Sequence, residues 1–263
     1  CARYGIRIFV FCNEPLAFGT AHYTLPLAEL KGRPEFAGHR TPNGWTCFCT
    51  SSQEGQAYLE ECTGYLFEQV PGLGGMIAIV HGERPTNCYS YDGFFAGNTC
   101  PRCSRRKPWD VYRDTLSTLS HGMHKAAPQA EFIAWLYTPA IRSDDRLSAR
   151  EKRETLRRIA GRAPRDVTVQ VNFESNGAVR QLGRTYTAYD YWLAWPGPSR
   201  FFAGCAAAAR KAGAGVSAKI QVGCSHENAT IPFMPVPGNL YRKYRAMRDL
   251  GVRSVMQCWY FGN

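Results

Sequence analysis

The sequence predicts an α/β chain: a (β/α)8 TIM barrel that is incomplete, lacking its first two βα units and its final helix. Three observations predict it. Short, nearly continuous apolar runs of strand-forming residues alternate with longer segments of helical periodicity. Two junctions share one grammar, helix then glycine then strand, in "KAGAGVSAKIQV" and "DLGVRSVMQCW". Polar and aromatic residues follow nearly every strand, where a barrel of this kind carries its active site. A doubly wound open sheet also fits the alternation. No Gly-rich phosphate turn follows the first strand, which weighs against a dinucleotide site.

The elements follow in order. The opening "CARYGIRIFVF" lacks a Met, and "ARYG" reads as the last turn of a helix closed by Gly5. A fragment of a longer barrel is therefore expected. Ile6–Cys12 is the third strand in the barrel count. Ser52–Val70 places Tyr58, Leu59, Cys62, Leu66 and Phe67 at helical spacing. Gly75–Val80 is the fourth strand, and Pro108–Ala126 the next helix, with Val111, Leu116, Leu119 and Met123 on one face. Glu131–Tyr137 is the fifth strand. Ser148–Ala160 opens with a capping box, Ser148 and Glu151. Val167–Phe173 is the sixth strand, followed by the alanine-rich helix Arg200–Ala212, which stops at Gly213. Val216–Val222 is the seventh, Asn239–Leu250 a helix stopping at Gly251, and Ser254–Tyr260 the eighth. The apolar runs predict strands covered on both faces. The whole reads as one barrel domain over residues 1–263, with a cysteine-containing loop inserted at about 84–107.

Composition narrows the partners. The formal net charge is +11, and residues 142–165 alone hold nine Arg or Lys. Asp144, Asp145, Glu151, Glu154 and Asp166 are interleaved, so this stretch reads as a solvated helix face. With no nucleic-acid-binding motif present, no nucleic-acid partner is expected. No run of eighteen apolar residues exists, so no membrane span is expected. The eleven cysteines are scattered and odd in number, which leans toward a reducing compartment such as the cytoplasm.

Glu83 lies just past the fourth strand, in "GGMIAIVHGE". A carboxylic acid there, beside apolar walls, is placed to protonate a leaving oxygen. The plainer alternative is a loop glutamate pairing with Arg84. Cys88 and the pair Cys100 and Cys103, a C-x-x-C, have the knuckle spacing of a zinc site. Cys49 is taken as the fourth ligand, with Cys47, His81 or His121 as alternatives. A zinc or iron bound here would pin the loop, against the alternative of unliganded thiols or a disulfide; no cofactor is required for catalysis.

Three segments carry a family resemblance. "YLFEQVPGLGGMIAIVHGE" resembles the glycoside hydrolase family 20 segment that runs from a helix through "LFP" into strand four, which in that family ends in Gly-Gly-Asp-Glu. "IRIFVFCNEP" sits where that family's third strand carries "PEID"-like residues, and "CWYFGN" resembles its aromatic-rich eighth strand. The chain also resembles uncharacterised bacterial barrel proteins related to such hydrolases. The resemblance implies a carbohydrate substrate and Glu83 as the general acid. The chain departs at Gly82, where the family has the Asp that orients the substrate's acetamido group, which puts substrate-assisted hydrolysis in doubt. A second carboxylate is then needed. Glu227, after the seventh strand, is the first choice as nucleophile or base. Glu174 is the reserve, and Asp190 competes. Asn13, Glu14, His81, Tyr137, Asn172, Asp190, His226, Trp259 and Tyr260 are expected to bind substrate. The aromatics Tyr186, Tyr189, Tyr191, Trp192 and Trp195 add stacking faces for sugar rings. Two rivals stand beside this reading: a non-catalytic carbohydrate-binding barrel, and a metal-dependent barrel hydrolase using the cysteine loop.

Overall fold

The computed structural model describes residues 1–223 and 234–257. Six parallel strands form one open sheet in the order β1-β6-β7-β8-β11-β12. They are β1 Ile8–Cys12, β6 Leu73–His81, β7 Glu131–Leu136, β8 Val167–Asn172, β11 Gly215–Ile220 and β12 Ser254–Gln257. Between β1 and β6 lie β2 Phe18–Gly19, β3 Leu25–Pro26, β4 Ala37–Arg40, β5 Thr46–Phe48 and α1 Gln53–Gln69. The other helices are α2 Pro108–Ala126, α3 Ala149–Ala160, α4 Arg200–Ala212 and α5 Pro237–Asp249. A hairpin of β9 Ala178–Gln181 and β10 Arg184–Thr187 follows β8.

The helix ends match their sequence signals. Ser148 and Glu151 close a reciprocal capping box on α3. Ser52 caps α1 by accepting from Gly55 N, and Ser199 caps α4 by accepting from Phe202 N. Gly213 ends α4 in the left-handed conformation.

One face of the sheet packs on the helices. Met76, Ala78 and Val80 of β6, Phe132, Ala134 and Leu136 of β7, Val169 and Val171 of β8, and Val216, Ala218 and Ile220 of β11 join one apolar core. The helices contribute Leu59, Phe67, Leu116, Met123, Leu156, Ile159, Phe202 and Met247 to it. Burying each such large side chain stabilises the fold by roughly 1.5–3 kcal/mol. The opposite face differs. Thr168, Gln170, Asn172, Ser217 and Lys219 alternate with the core residues and are also buried. Ser217 Oγ donates to Gln170 Oε1 at 2.9 Å, and Thr168 Oγ1 to Glu131 Oε1 at 3.1 Å. Ile79, Trp135 and Tyr191 form a second, smaller apolar cluster. The expectation of uniformly apolar strands thus holds for β6 and most of β7. β8 and β11 are half polar.

The expected (β/α)8 TIM barrel is corrected. Among the described residues the main sheet is an open half-barrel of six parallel strands with five α-helices. β1 and β12 are its edges and do not pair with one another. Closing a parallel barrel requires a full complement of tilted, staggered strands, and six do not complete the ring. On β1 the consequence is visible: Ile8 and Phe11 are exposed.

The residues between β1 and α1 form a second, small sheet in the order β3-β2-β5-β4. Phe36 and Phe48 pack at 4.9 Å between ring centroids, and Phe18 stacks on Phe48 at 6.2 Å. No helix among the described residues is long and apolar enough to cross a membrane.

Candidate functional site

The polar residues at the C-terminal ends of β7 and β8 meet. Beyond β8 the chain runs through Glu174 and Ser175, makes the β9–β10 hairpin and returns. Asn176 N donates to Ala188 O at 3.0 Å, and Ala188 N to Gly177 O at 2.8 Å. These bonds set Asp190 beside the tip of β8. Its Oδ1 accepts from Asn172 Nδ2 at 2.7 Å and its Oδ2 from the Tyr137 hydroxyl at 2.5 Å. Ser175 Oγ donates to the Asp190 carbonyl at 2.9 Å. Asn172 is fixed in turn, its Oδ1 accepting from Trp135 Nε1 at 2.9 Å. Burial, then the charge of Asp190 and the bond to it, then the charge of Glu83, push the Tyr137 phenol well above its ordinary range. Tyr137 therefore stays a proton donor, and Asp190 is held by several donors.

Glu83 follows the end of β6, the strand next to β7. Gly82 turns the chain at φ +93°. An added Cβ there would overlap the Tyr137 carbonyl oxygen, so no side chain fits. The Asp of the family pattern is therefore sterically excluded at Gly82. The Glu83 carbonyl accepts from the Tyr91 hydroxyl at 2.7 Å, and its side chain is half-buried. Arg84 lies over the Tyr23 ring at 4.2 Å.

The remaining expected residues fall elsewhere. β6 has a register irregularity between Ile79 and His81 against β7. Beyond it the buried His81 ring meets the Tyr112 hydroxyl of α2 at 2.7 Å and stacks on Phe95. Burial pushes its pKa down to about 3, so it is neutral. Asn13 and Glu14 follow β1. Glu14 Oε2 accepts from Leu16 N at 3.0 Å, and Asn13 Oδ1 is a buried acceptor with no partner among the described residues. Glu174 is wholly buried and ion-paired with Lys243 of α5, whose Nζ also donates to Trp192 O at 3.0 Å. Burial raises Glu174 to about 7, against the pull of Lys243. His226, Glu227, Trp259 and Tyr260 lie outside the described residues.

Three buried lysines were not anticipated; Lys152, on the face of α3 expected to be solvated, pairs with Asp144 at 2.7 Å. Lys243 sits one helical turn before Met247, which faces the core, and that spacing could have flagged it. Lys219 projects from the polar face of β11, its Nζ 4.2 Å from the Tyr191 ring centroid. The alternation in "VSAKI" carried that signal.

A second cluster lies where the small sheet meets the segment after β6. Cys49, Cys88, Cys100 and Cys103 are buried, with all four sulfurs within 4.8 Å of one another. Four thiols at that range can hold a metal ion. Cys47 is also buried but stands outside the set.

No protein-family model matches the chain, and no curated protein matches it. Among solved structures it is similar to a candidate alpha-L-fucosidase from Bacteroides thetaiotaomicron VPI-5482, at 12% identity and a TM-score of 0.41, over 80% of this chain and 56% of that one. The chain thus spans about half the length of that structure. Membership of glycoside hydrolase family 20 is not shown by these comparisons.

Proposed function

We propose that the chain is the catalytic region of an O-glycosyl hydrolase acting on an oligo- or polysaccharide, with Glu83 as general acid. One observation carries this reading: the Asp190 carboxylate is hydrogen-bonded to Tyr137 at the tip of the sheet, and Glu83 follows the neighbouring strand β6. Asp190 accepts from the Tyr137 hydroxyl, and the charge of Glu83 bears on the same phenol. Glycosidic cleavage uses one carboxylic acid to protonate the leaving oxygen while other carboxylates stabilise the positive charge on the sugar ring. Glu83, half-buried just past the end of β6, takes the first role. Asp190, anchored by Asn172 and Tyr137, takes an electrostatic one. Glu227 remains the proposed nucleophile or base. Glu174, buried against Lys243, is better suited to holding β8 to α5. Exposed Tyr186 and Tyr189 offer faces on which the C–H side of a sugar stacks.

The non-catalytic, carbohydrate-binding reading is favoured by one feature. Gly82 leaves no room for the Asp that would assist catalysis in the family it resembles. The four-cysteine cluster is wholly buried and offers sulfur alone, which favours a structural metal over a metal-dependent hydrolase. The test is turnover of aryl glycosides and oligosaccharides by the chain and by Glu83→Gln. A fall of at least about a hundredfold in kcat is expected. Equal turnover by the variant would remove Glu83 from the role, and saturable sugar binding without turnover would establish the binding reading instead.

A further inference from the structure

The four-cysteine cluster has the geometry of a closed four-coordinate metal site. Cys49 Sγ lies 3.6 Å from Cys100 Sγ and 3.9 Å from Cys103 Sγ. A zinc–sulfur bond of about 2.3 Å in a regular tetrahedron separates the ligand sulfurs by about 3.8 Å. The observed spacing is therefore that of four ligands around one ion. It is too long for a disulfide, whose sulfurs stand about 2.0 Å apart. It is too short for a multi-iron cluster, in which iron and sulfide separate the cysteines.

The surroundings are built for thiolates. His39 N donates to Cys88 Sγ at 3.3 Å, and Cys103 N to Cys100 Sγ at 3.4 Å. Arg102 Nε donates to Cys49 Sγ at 3.2 Å. A Cβ added to Gly38 of β4 would collide with Cys88 Sγ, so bare backbone closes that side. An ion with four thiolates carries a net charge of about −2, and the Arg102 guanidinium offsets part of it.

We propose that Cys49, Cys88, Cys100 and Cys103 bind one zinc ion as a closed tetrahedral tetrathiolate, and that this ion fixes the segment holding Glu83. Binding releases the thiol protons that remain. The ion joins the end of β5, through Cys49, to the segment between β6 and α2, through the other three ligands. The path from the ion to Glu83 is short. Cys88 sits in a turn where Asn87 N donates to Ser90 Oγ at 2.5 Å. The Ser90 carbonyl accepts from Gly82 N at 2.7 Å. The Tyr89 hydroxyl donates to Cys103 O at 2.9 Å, tying the same turn to the C-x-x-C.

Elemental analysis of the purified chain should give one zinc per chain. Cobalt exchanged into the unmodified chain should show the intense visible bands and sulfur-to-cobalt charge transfer of a tetrahedral S4 site. Cys88→Ser and Cys100→Ser should lose most of the metal, while Cys47→Ala keeps one ion per chain. If the ligand variants do not fold, the cobalt spectrum of the unmodified chain decides alone. Iron in place of zinc, a cobalt spectrum without S4 character, or a metal-free chain with these four residues as free thiols or disulfides would overturn the proposal. Chelation should also raise amide exchange over residues 82–91 more than in β7 and β8. Unchanged exchange there would overturn the link to Glu83.

Discussion

The Tyr137 hydroxyl donates to Asp190 Oδ2 at 2.5 Å, joining the end of β7 to the segment that returns from the β9–β10 hairpin. Tyr137 and Asp190 are 53 residues apart in sequence, so this bond helps close the tip of the sheet across its connecting segment, beside those of Asn176 to Thr138 and Ile141. Tyr137→Phe would remove that hydroxyl donor from the buried carboxylate. The expected cost is roughly 1–3 kcal/mol, read as a lower urea midpoint. Under the glycosidase reading kcat should fall further than the stability change explains, because Asp190 would no longer be held at the reacting centre. An unchanged urea midpoint would show that the bond contributes nothing to the fold.

Gly82 makes a sharper prediction. Its φ of +93° and the closeness of the Tyr137 carbonyl both exclude a side chain. Gly82→Ala should destabilise by at least about 1–3 kcal/mol, the usual cost of a residue forced into that backbone region, and the overlap adds to it. Gly82→Asp, which restores the family-like Asp-Glu pair, should be no more active than the parent chain. Thermal denaturation of Gly82→Ala beside Gly72→Ala separates overlap from backbone strain, because Gly72 has φ +90° and open space around it.

The Glu174–Lys243 pair is fully buried. Removing one partner strands the other charge, so Lys243→Met should cost about 3–5 kcal/mol. Replacing both by apolar residues of similar volume should cost less than either single change. A double-mutant cycle by chemical denaturation checks this, and additive costs would show that the pair is not coupled.

His81 ties stability to pH. Its folded pKa, about 3, lies below the ordinary value of 6.5. Between those values the unfolded chain binds the proton and the folded chain does not. Its contribution is therefore complete above pH 6.5 and lost as pH falls toward 3, by up to about 1.4 kcal/mol per unit. His81→Gln, which retains a polar group for Tyr112, should flatten the fall in the urea midpoint between pH 7 and pH 5. Parallel pH profiles for variant and parent would exclude the buried imidazole as the cause.

Much of this was legible in the residues. "MIAIV" announced β6, and the Ser148–Glu151 signature fixed the start of α3, because local patterns determine strands and caps. Closure of the ring was not legible. Alternating strands and helices are equally consistent with a closed barrel and an open sheet, and only the pairing of β1 and β12 distinguishes them. Strands of two to four residues, as in β2–β5, are too short to show a period. The polar alternation of "VTVQVN" was present and marked the inner face of β8, where Asn172 reaches Asp190. In the cysteine cluster, the C-x-x-C and Cys88 were visible as a trio. Cys49 as the fourth member was the expected choice, and the structure places it with the other three rather than Cys47, two residues away. Lys243 as the partner of Glu174, 69 residues away, had no local signal beyond its helical register with Met247.

Arg102 gives the last prediction. Its guanidinium donates to Cys49 Sγ at 3.2 Å and, through NH2, to Glu35 O at 2.7 Å and Ala37 O at 2.9 Å. The side chain thus anchors the start of β4 to a ligand sulfur while placing positive charge beside it. Arg102→Met keeps the length and apolar stem but removes both effects. Groups that hold and neutralise metal ligands typically contribute about 10–100-fold to affinity. Zinc release to a competing chromophoric chelator should rise by that factor, with one ion still bound per chain at saturation. Arg102→Lys should recover only part of it, since an ammonium brings the charge but cannot span a sulfur and two carbonyls with a planar fork. Equal zinc affinity in all three chains would reduce Arg102 to a backbone clamp.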